Sequence, residues 1–397
     1  TKKDYLKNMI QTTYLTLNTE TAEAKGAIHT AKEIAGQPEL WAMVFDQVEQ
    51  MKEEIQSFVQ PIFEQSKARI ILTGAGSSAF IGESAQGVVQ QKTGVITQAI
   101  ATTDLVTHPE LFFMKGRPTL LVSFARSGNS PESVEAVRLA DEYCDQMYHL
   151  IITCNADGQL AAYTNGGSKN CFVIVLPEAA NDNSLAMTGS FTSMLLTVLL
   201  IAGIGELEAL KPAFGNAVDT ANGILRTKLE EFEELAKREF KRVIFLGSGP
   251  MLGVARECHL KLQELTDGQI VCKHDSFLGF RHGPRAVANE DSILVYLFSK
   301  DQHVARYEKD LADSIGQDKR DIKTISFAAD NSEGFNAIME LSACGNAEDA
   351  LFNVLPATMV GQLLGFYKCL QLRLQPDNPS VSGAISRVVQ GVVIYKK

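Results

Sequence analysis

The sequence predicts an α/β fold in which two doubly wound parallel-sheet domains, related by internal duplication, follow an N-terminal helical segment. Three observations carry that expectation. Short runs that are almost wholly apolar, such as Arg69-Ile70-Ile71-Leu72-Thr73, alternate with stretches of helical period, as expected of strands covered on both faces. These runs end in turns rich in Gly and Ser, and a helical pattern starts directly after each turn. Finally, the unit of strand, Gly/Ser turn and helix start at Arg69 to Ser78 recurs at Arg242 to Gly249.

Taken in order, residues 1–66 are helical in period with no strand-like run, and Gln37-Pro38-Glu39-Leu40-Trp41 marks a helix start with Pro in its first turn. The first domain is expected over 67–207. Its strands are Arg69 to Thr73, Thr119 to Phe124, His149 to Thr153 and Cys171 to Val175, with an amphipathic helix from Pro131 to Tyr143. A polar helical connector covers 208–240. The second domain, 241–375, begins with strand Arg242 to Leu246, Gly247-Ser248-Gly249 and a helix over 251–266. Strands Ser292 to Leu297 and Lys323 to Phe327 and an apolar helix near 354–372 complete it. The apolar run from Met194 to Gly205 is too short to span a bilayer, which takes about 20 residues, and fits a buried helix.

Composition narrows the function. The 397 residues are 45% apolar and 21% charged, with a net charge of −10. That balance argues against a nucleic-acid or membrane partner and requires a locally basic pocket for any anionic substrate. Cys144, Cys154, Cys171, Cys258, Cys272, Cys344 and Cys369 show no paired or metal-ligand spacing, so they read as reduced thiols of a cytoplasmic protein that needs no metal or cofactor. No signal-peptide pattern opens the chain, and its first residue is not Met.

Ligands of open parallel sheets sit at the carboxyl ends of the strands, where three Gly/Ser turns fall: Gly74 to Ser78, Arg126 to Ser130, and Gly247 to Gly249. In the second, Ser130 is a favoured N-cap and Pro131 a favoured first helical residue. The helix start would face an anion with its amides and dipole. Ser127 and Ser130 add hydroxyls, Gly128 allows close approach and Arg126 adds charge. An ordinary capped strand-to-helix turn is the alternative. The turn at Gly74 lacks the Lys of a phosphate-binding loop and the spacing of a dinucleotide fingerprint. Glu257, Lys261 and Glu264 stand at i, i+4 and i+7 on one helical face, either as a solvated ion pair or as a catalytic row behind the Gly-Ser-Gly turn. Phe280-Arg281-His282-Gly283-Pro284-Arg285 reads as a fixed polar loop whose His282 could shuttle a proton.

Together these clusters resemble the SIS (sugar isomerase) family, notably the isomerase half of glutamine–fructose-6-phosphate aminotransferase. The residues that match are Gly76-Ser77-Ser78, Arg126 to Ser130, Glu257 to Glu264, Arg281-His282-Gly283-Pro284 and Asp377-Asn378-Pro379, in the family's order over 67–397. Ser123-Phe124-Ala125-Arg126-Ser127-Gly128-Asn129-Ser130-Pro131-Glu132-Ser133 and Arg387-Val388-Val389-Gln390-Gly391 look like its AgaS-type branch, associated with tagatose-6-phosphate isomerisation or galactosamine-6-phosphate deamination.

The resemblance implies two flavodoxin-like SIS domains acting on a hexose or hexosamine 6-phosphate, with a tail, 376–397, that contributes to the site. Ser77, Ser78, Ser127 and Ser130 would hold the phosphate, helped by Arg126. Glu264 would move a proton between C1 and C2, its pKa raised toward neutrality by burial in an apolar site. Lys261 and Glu257 would stand beside it, and His282 would assist ring opening. In the related isomerase that histidine comes from the neighbouring subunit, which implies a homodimer with shared sites. Three departures stand out. Ala125 replaces the first Ser of the phosphate turn; Arg387 is the nearest counterpart of a C-terminal lysine and cannot give up a proton as lysine can; and the 66 residues ahead of the first strand are too few for a glutaminase domain. Deamination, plain aldose–ketose isomerisation and non-catalytic sugar-phosphate sensing share the phosphate turns, and only the first two need Glu264 and His282.

Overall fold

The computed structural model describes residues 13–166, 170–329, 335, 337–389 and 391–395. Its first half holds strands β1 (Arg69–Thr73), β2 (Ile96–Ala99), β3 (Thr119–Ala125), β4 (Met147–Thr153) and β5 (Cys171–Val175). Helices α1 (Gln37–Gln50), α2 (Ser77–Thr93), α3 (Pro131–Tyr143), α4 (Gly189–Ala202) and α5 (Leu207–Thr227) accompany them. The second half holds β6 (Arg242–Gly247), β7 (Val271–Asp275), β8 (Ser292–Leu297), β9 (Lys323–Phe327) and β10 (Ala337–Leu341), with α6 (Pro250–Leu265), α7 (Gln302–Gly316) and α8 (Val354–Gln371).

All pairings in both sheets are parallel, in the orders β2-β1-β3-β4-β5 and β7-β6-β8-β9-β10. Each is a five-stranded flavodoxin-like order, with its topological switch point between the first and third strands. The duplication extends to register. Arg69 pairs with Thr119 and Arg242 with Ser292, at one constant sequence offset. It extends to the turns as well: Gly76 and Gly249 cap α2 and α6 with φ/ψ of 57°/−131° and 53°/−125°, a region closed to residues with a Cβ. Two residues earlier, a Cβ on Gly74 would stand 2.6 Å from the carbonyl carbon of Ser78, and one on Gly247 2.2 Å from the carbonyl oxygen of Met251. Only glycine lets each helix start so close to its strand.

One continuous core joins the halves through α2, α4, α6 and α8. α4 and α8 are apolar almost all round and correspondingly buried. A buried chain of polar groups ties them to α1: Thr192 Oγ1 donates to Gln37 Oε1 at 2.8 Å and accepts from Trp41 Nε1 at 2.9 Å, while Gln37 Nε2 donates to Gln362 Oε1 at 2.6 Å. Among the described residues no single helix is long and apolar enough to cross a membrane.

Two expectations need correction. The N-terminal segment is not purely helical, because Thr13–Tyr14 pairs antiparallel with Leu17–Asn18; residues 1–12 lie outside the described residues. Strands β2, β7 and β10 also escaped the sequence reading. All three lie at sheet edges; β2 and β10 mix exposed or half-buried positions with buried ones and β7 has no buried position, so they lack the apolar run that betrays a central strand.

Candidate active site

The site forms where β1 and β3 diverge, at the switch point of the first sheet. The turn after β3 is braced from the next loop. Asn155 Nδ2 donates to the Ser127 carbonyl at 2.8 Å, Leu160 N to the Gly128 carbonyl at 3.1 Å, and Gln159 N to Asn129 Oδ1 at 3.0 Å. Gly128 takes φ 67° there. Ser130 occupies the N-cap position of α3, yet its hydroxyl makes no capping bond and donates to Ser133 Oγ at 2.6 Å instead. Opposite this turn, Ser77 and Ser78 are buried in the first turn of α2. Ser78, Ser127 and Ser130 line a cavity of about 140 Å³ with Gly76, Arg126 and Met187, and Val388 and Val389 of the C-terminal segment close it.

Helix α6 packs against α2 and brings Glu257 of its acidic row beside Ser77. Lys261 is buried, with Nζ 2.5 Å from Glu264 Oε2 and 3.4 Å from Glu257 Oε1. The row is therefore not a solvated face. Burial pulls the Lys261 ammonium down, but the two glutamates outweigh it and its pKa ends above the usual lysine value. Glu257 is fully buried, and neither carboxylate oxygen has a hydrogen-bond partner among the described residues. Burial pushes its carboxyl up to about 7, against the pull of Lys261 and the nearby Ser77 hydroxyl. Glu264 keeps 22% of its side chain exposed. The glutamate driven toward neutrality by burial is thus Glu257, about two helical turns before Glu264 on the same face. Arg126 feels the charge of Glu264, so the phosphate turn and the acidic row share one electrostatic environment.

The two arginines are already engaged. Buried Arg126 donates through Nη1 to the carbonyls of Ser184 (3.2 Å) and Leu185 (3.0 Å), and through Nη2 to that of Arg387 (2.5 Å). Arg387 donates through Nε and Nη2 to the Asp182 carbonyl (2.8 and 2.5 Å) and through Nη2 to Asn181 Oδ1 (2.8 Å). Both guanidinium groups bind backbone and strap the C-terminal segment over the cavity; Gln390, in that motif, lies outside the described residues. His282 is exposed and does not line the cavity of its own chain. Arg285 is held by Asp318 and Ser314, a structural use.

Sequence reasoning missed the hub beneath the strap. Asp182 is buried and caps α4 from outside, accepting from the amides of Thr188 (2.8 Å), Gly189 (3.1 Å) and Ser190 (3.0 Å) and from the hydroxyls of Thr188 (3.0 Å) and Ser190 (2.5 Å). Glu33 takes the Asn183 and Ser184 amides at 2.5 and 3.3 Å and the Ser184 hydroxyl; burial, then Asp182, pushes its carboxyl up to about 7. Asp377 caps Ile28–Ala35 through the amides of His29 (3.2 Å) and Thr30 (2.8 Å). A signal for Asp182 existed, a polar Asp-x-Ser stretch before the Thr-Gly-Ser that opens the apolar run, but its cap spans six to eight residues, beyond the usual Ncap-to-N3 reach.

Comparison with known proteins shows the family. The SIS domain model matches residues 62–203. D-galactosamine-6-phosphate deaminase AgaS of Shewanella sp. (strain ANA-3) is 39% identical over 96% of this chain and 95% of its own. The Escherichia coli protein of that name is 36% identical over 94% and 97%. A solved tagatose-6-phosphate ketose/aldose isomerase from Escherichia coli superposes with a TM-score of 0.83 at 30% identity, over 93% of this chain and 97% of its own. The chain belongs to the SIS domain family and, within it, to the AgaS group.

Proposed function

We propose that the protein deaminates a 2-amino-2-deoxyhexose 6-phosphate, converting galactosamine 6-phosphate to tagatose 6-phosphate and ammonia. One observation carries the chemistry: a hydroxyl-lined turn fit for phosphate lines a small cavity together with Arg126, which feels the charge of Glu264, while Glu257 of the same Glu-Lys-Glu row reaches the Ser77 hydroxyl. The substrate follows from 39% identity to a named galactosamine-6-phosphate deaminase. Segments 67–207 and 241–375 act as the two SIS domains, 208–240 connects them, and 376–397 closes the site.

Ser77, Ser78, Ser127 and Ser130 hold the phosphate, with the positive field of Arg126 behind them. Glu264, the most open member of the row, removes the C2 proton of the ring-opened sugar and leaves an enolamine. Returning the proton to C1 gives a 2-imine, and water then releases ammonia and the ketose phosphate. Lys261 holds Glu264 in place as its ion-pair partner, and Glu257 packs behind the lysine in the dry interior. His282 of the partner subunit protonates the ring oxygen in a homodimer with shared sites, a role supported by its exposure in its own chain.

The name of the 30% identical Escherichia coli structure favours a second reading, plain ketose–aldose isomerisation, which uses the same proton transfer through an enediol. Purified protein supplied with galactosamine 6-phosphate should release ammonia and a ketose phosphate in equal amounts. Turnover of tagatose 6-phosphate to its aldose, with no ammonia from the amino sugar, would favour isomerisation instead. Glu264→Gln should keep substrate affinity and lose about 10²–10⁴-fold in kcat. Intact turnover in that variant would remove Glu264 from the mechanism.

A further inference from the structure

The second sheet has a switch point too, between β6 and β8, and a buried carboxyl group occupies it. Glu308 of α7 is fully buried. Its Oε2 accepts from Ser299 N at 2.8 Å, and the side chain lies beside the hydroxyl of Ser248 in the Gly-Ser-Gly turn. Its Oε1 has no hydrogen-bond partner among the described residues. By the offset that relates the two sheets, Ser299 stands where Arg126 stands and Ser248 where Ala75 stands, so this is the counterpart of the phosphate turn. The next amides of the turn are occupied as well: Asp301 caps α7 by accepting from His303 N at 2.8 Å and Val304 N at 3.1 Å. In the first half the corresponding crevice is open and its hydroxyls face a cavity.

A buried carboxyl with one bare oxygen costs free energy unless its surroundings are built for an anion. Donors aimed at a strand-end crevice from a Gly-Ser-Gly turn and a strand-to-helix turn make such surroundings. We propose that Glu308 is an internal ligand: its carboxyl group fills, in the second half of the duplication, the cradle that takes the substrate's phosphate in the first. Each chain thereby keeps a single sugar-phosphate site. The inference rests on the phosphate role assigned above to the turn at Arg126 to Ser130.

Emptying the cradle tests it. Inorganic phosphate is titrated by calorimetry into the full-length wild type, Glu308→Ala, and Glu308→Ala combined with Ser127→Ala and Ser130→Ala. Glu308→Ala should bind one additional phosphate per chain, keep ammonia release, and retain the additional site when the two serines are lost. Equal stoichiometry in wild type and Glu308→Ala overturns the proposal. Absence of phosphate binding in the wild type would count against the function proposed for the first turn and leaves the Glu308→Ala comparison to be read alone. Should Glu308→Ala fail to fold, Glu308→Ser replaces it. Folding of either variant rescued by phosphate but not chloride supports the internal ligand, and failure of both in either salt overturns it.

Discussion

Replacing Glu257 with Gln should change how stability depends on pH, and the structure sets both sign and size. Burial raises the Glu257 carboxyl from 4.5 to about 7. As pH rises, the unfolded chain releases this proton near 4.5 whereas the folded chain keeps it until about 7. Between those limits the folded state binds more protons, so stability falls with rising pH. The contribution is fully present below 4.5 and lost by the time pH has passed 7. At about 1.36 kcal/mol per pKa unit, a gap of about 2.5 units amounts to roughly 3 kcal/mol. Gln has nearly the same shape and does not titrate. The stability of Glu257→Gln relative to wild type should therefore rise by roughly 3 kcal/mol between pH 4.5 and pH 8. Groups shared by both proteins, Glu33 among them, cancel in the difference. Denaturant unfolding at a series of pH values measures it, and Trp41 is a convenient reporter as the single tryptophan, fully buried with Nε1 bonded to Thr192. Parallel stability curves for the two proteins would refute the reasoning, since they would mean that Glu257 stays ionised in the folded chain like an ordinary carboxylate.

Three further outcomes follow from the same geometry. Ser127→Ala with Ser130→Ala should raise KM for the 6-phosphate substrate by about tenfold or more, since a hydrogen bond to a charged group contributes about 1.5–3 kcal/mol, with kcat little changed; steady-state kinetics checks this, and an unchanged KM would remove the phosphate from that turn. Asp182→Ala removes the outside cap of α4 and should cost about 3 kcal/mol in denaturant unfolding, with a loss below 0.5 kcal/mol arguing that water replaces the carboxylate at no cost. Equal mixing of Glu264→Gln and His282→Ala chains, after subunit exchange, should restore roughly one quarter of wild-type ammonia release, because half the dimers are mixed and each holds one complete site; no recovery would place His282 in the site of its own chain.

Much of the fold was legible because the central strands are buried on both faces. Ile70, Ile71 and Leu72, or Val243, Ile244 and Phe245, have no solvent side on which to place a polar residue. The edge strands were opaque for the converse reason: in Val271 to Asp275 every position is exposed or half-buried, and Lys, His and Asp are tolerated. At the site, local motifs singled out the turn at Arg126 to Ser130, and helical spacing put Glu257, Lys261 and Glu264 on one face. What spacing cannot rank is depth along one face. Glu257 and Glu264 look alike as i and i+7, and only the packing of α2 on α6 decides which of them is sealed. Arg126 and Arg387 were legible as charge near an anion site. That their donors would be taken by the carbonyls of 182, 184, 185 and 387 depends on contacts across 58 to 261 residues, which no local pattern carries.

On the proposed mechanism the duplicated halves divide the chemistry between them, and the close crossing of α2 and α6 is what allows it. By the same offset, Ser84, Val88 and Gln91 of α2 stand where Glu257, Lys261 and Glu264 stand on α6. On the function proposed above, the first half supplies the phosphate turn and has no counterpart of the Glu-Lys-Glu row, while the second supplies that row and its own turn is stopped by Glu308. A Cβ on Gly253 would lie 2.4 Å from Ser84 Oγ, so the helices cross at a distance only glycine permits. That approach carries Glu257 to Ser77, and Glu264 within the field of Arg126. Across the crossing, Arg256 reaches back to pair with Glu83 and lies 4.4 Å over the ring of Phe80. On the proposed mechanism, a proton-transfer row on one half and a phosphate grip on the other can meet only if the two sheets hold a fixed relation. The glycine contact and the Arg256 clamp supply that relation at the point where the two helices bring the site together.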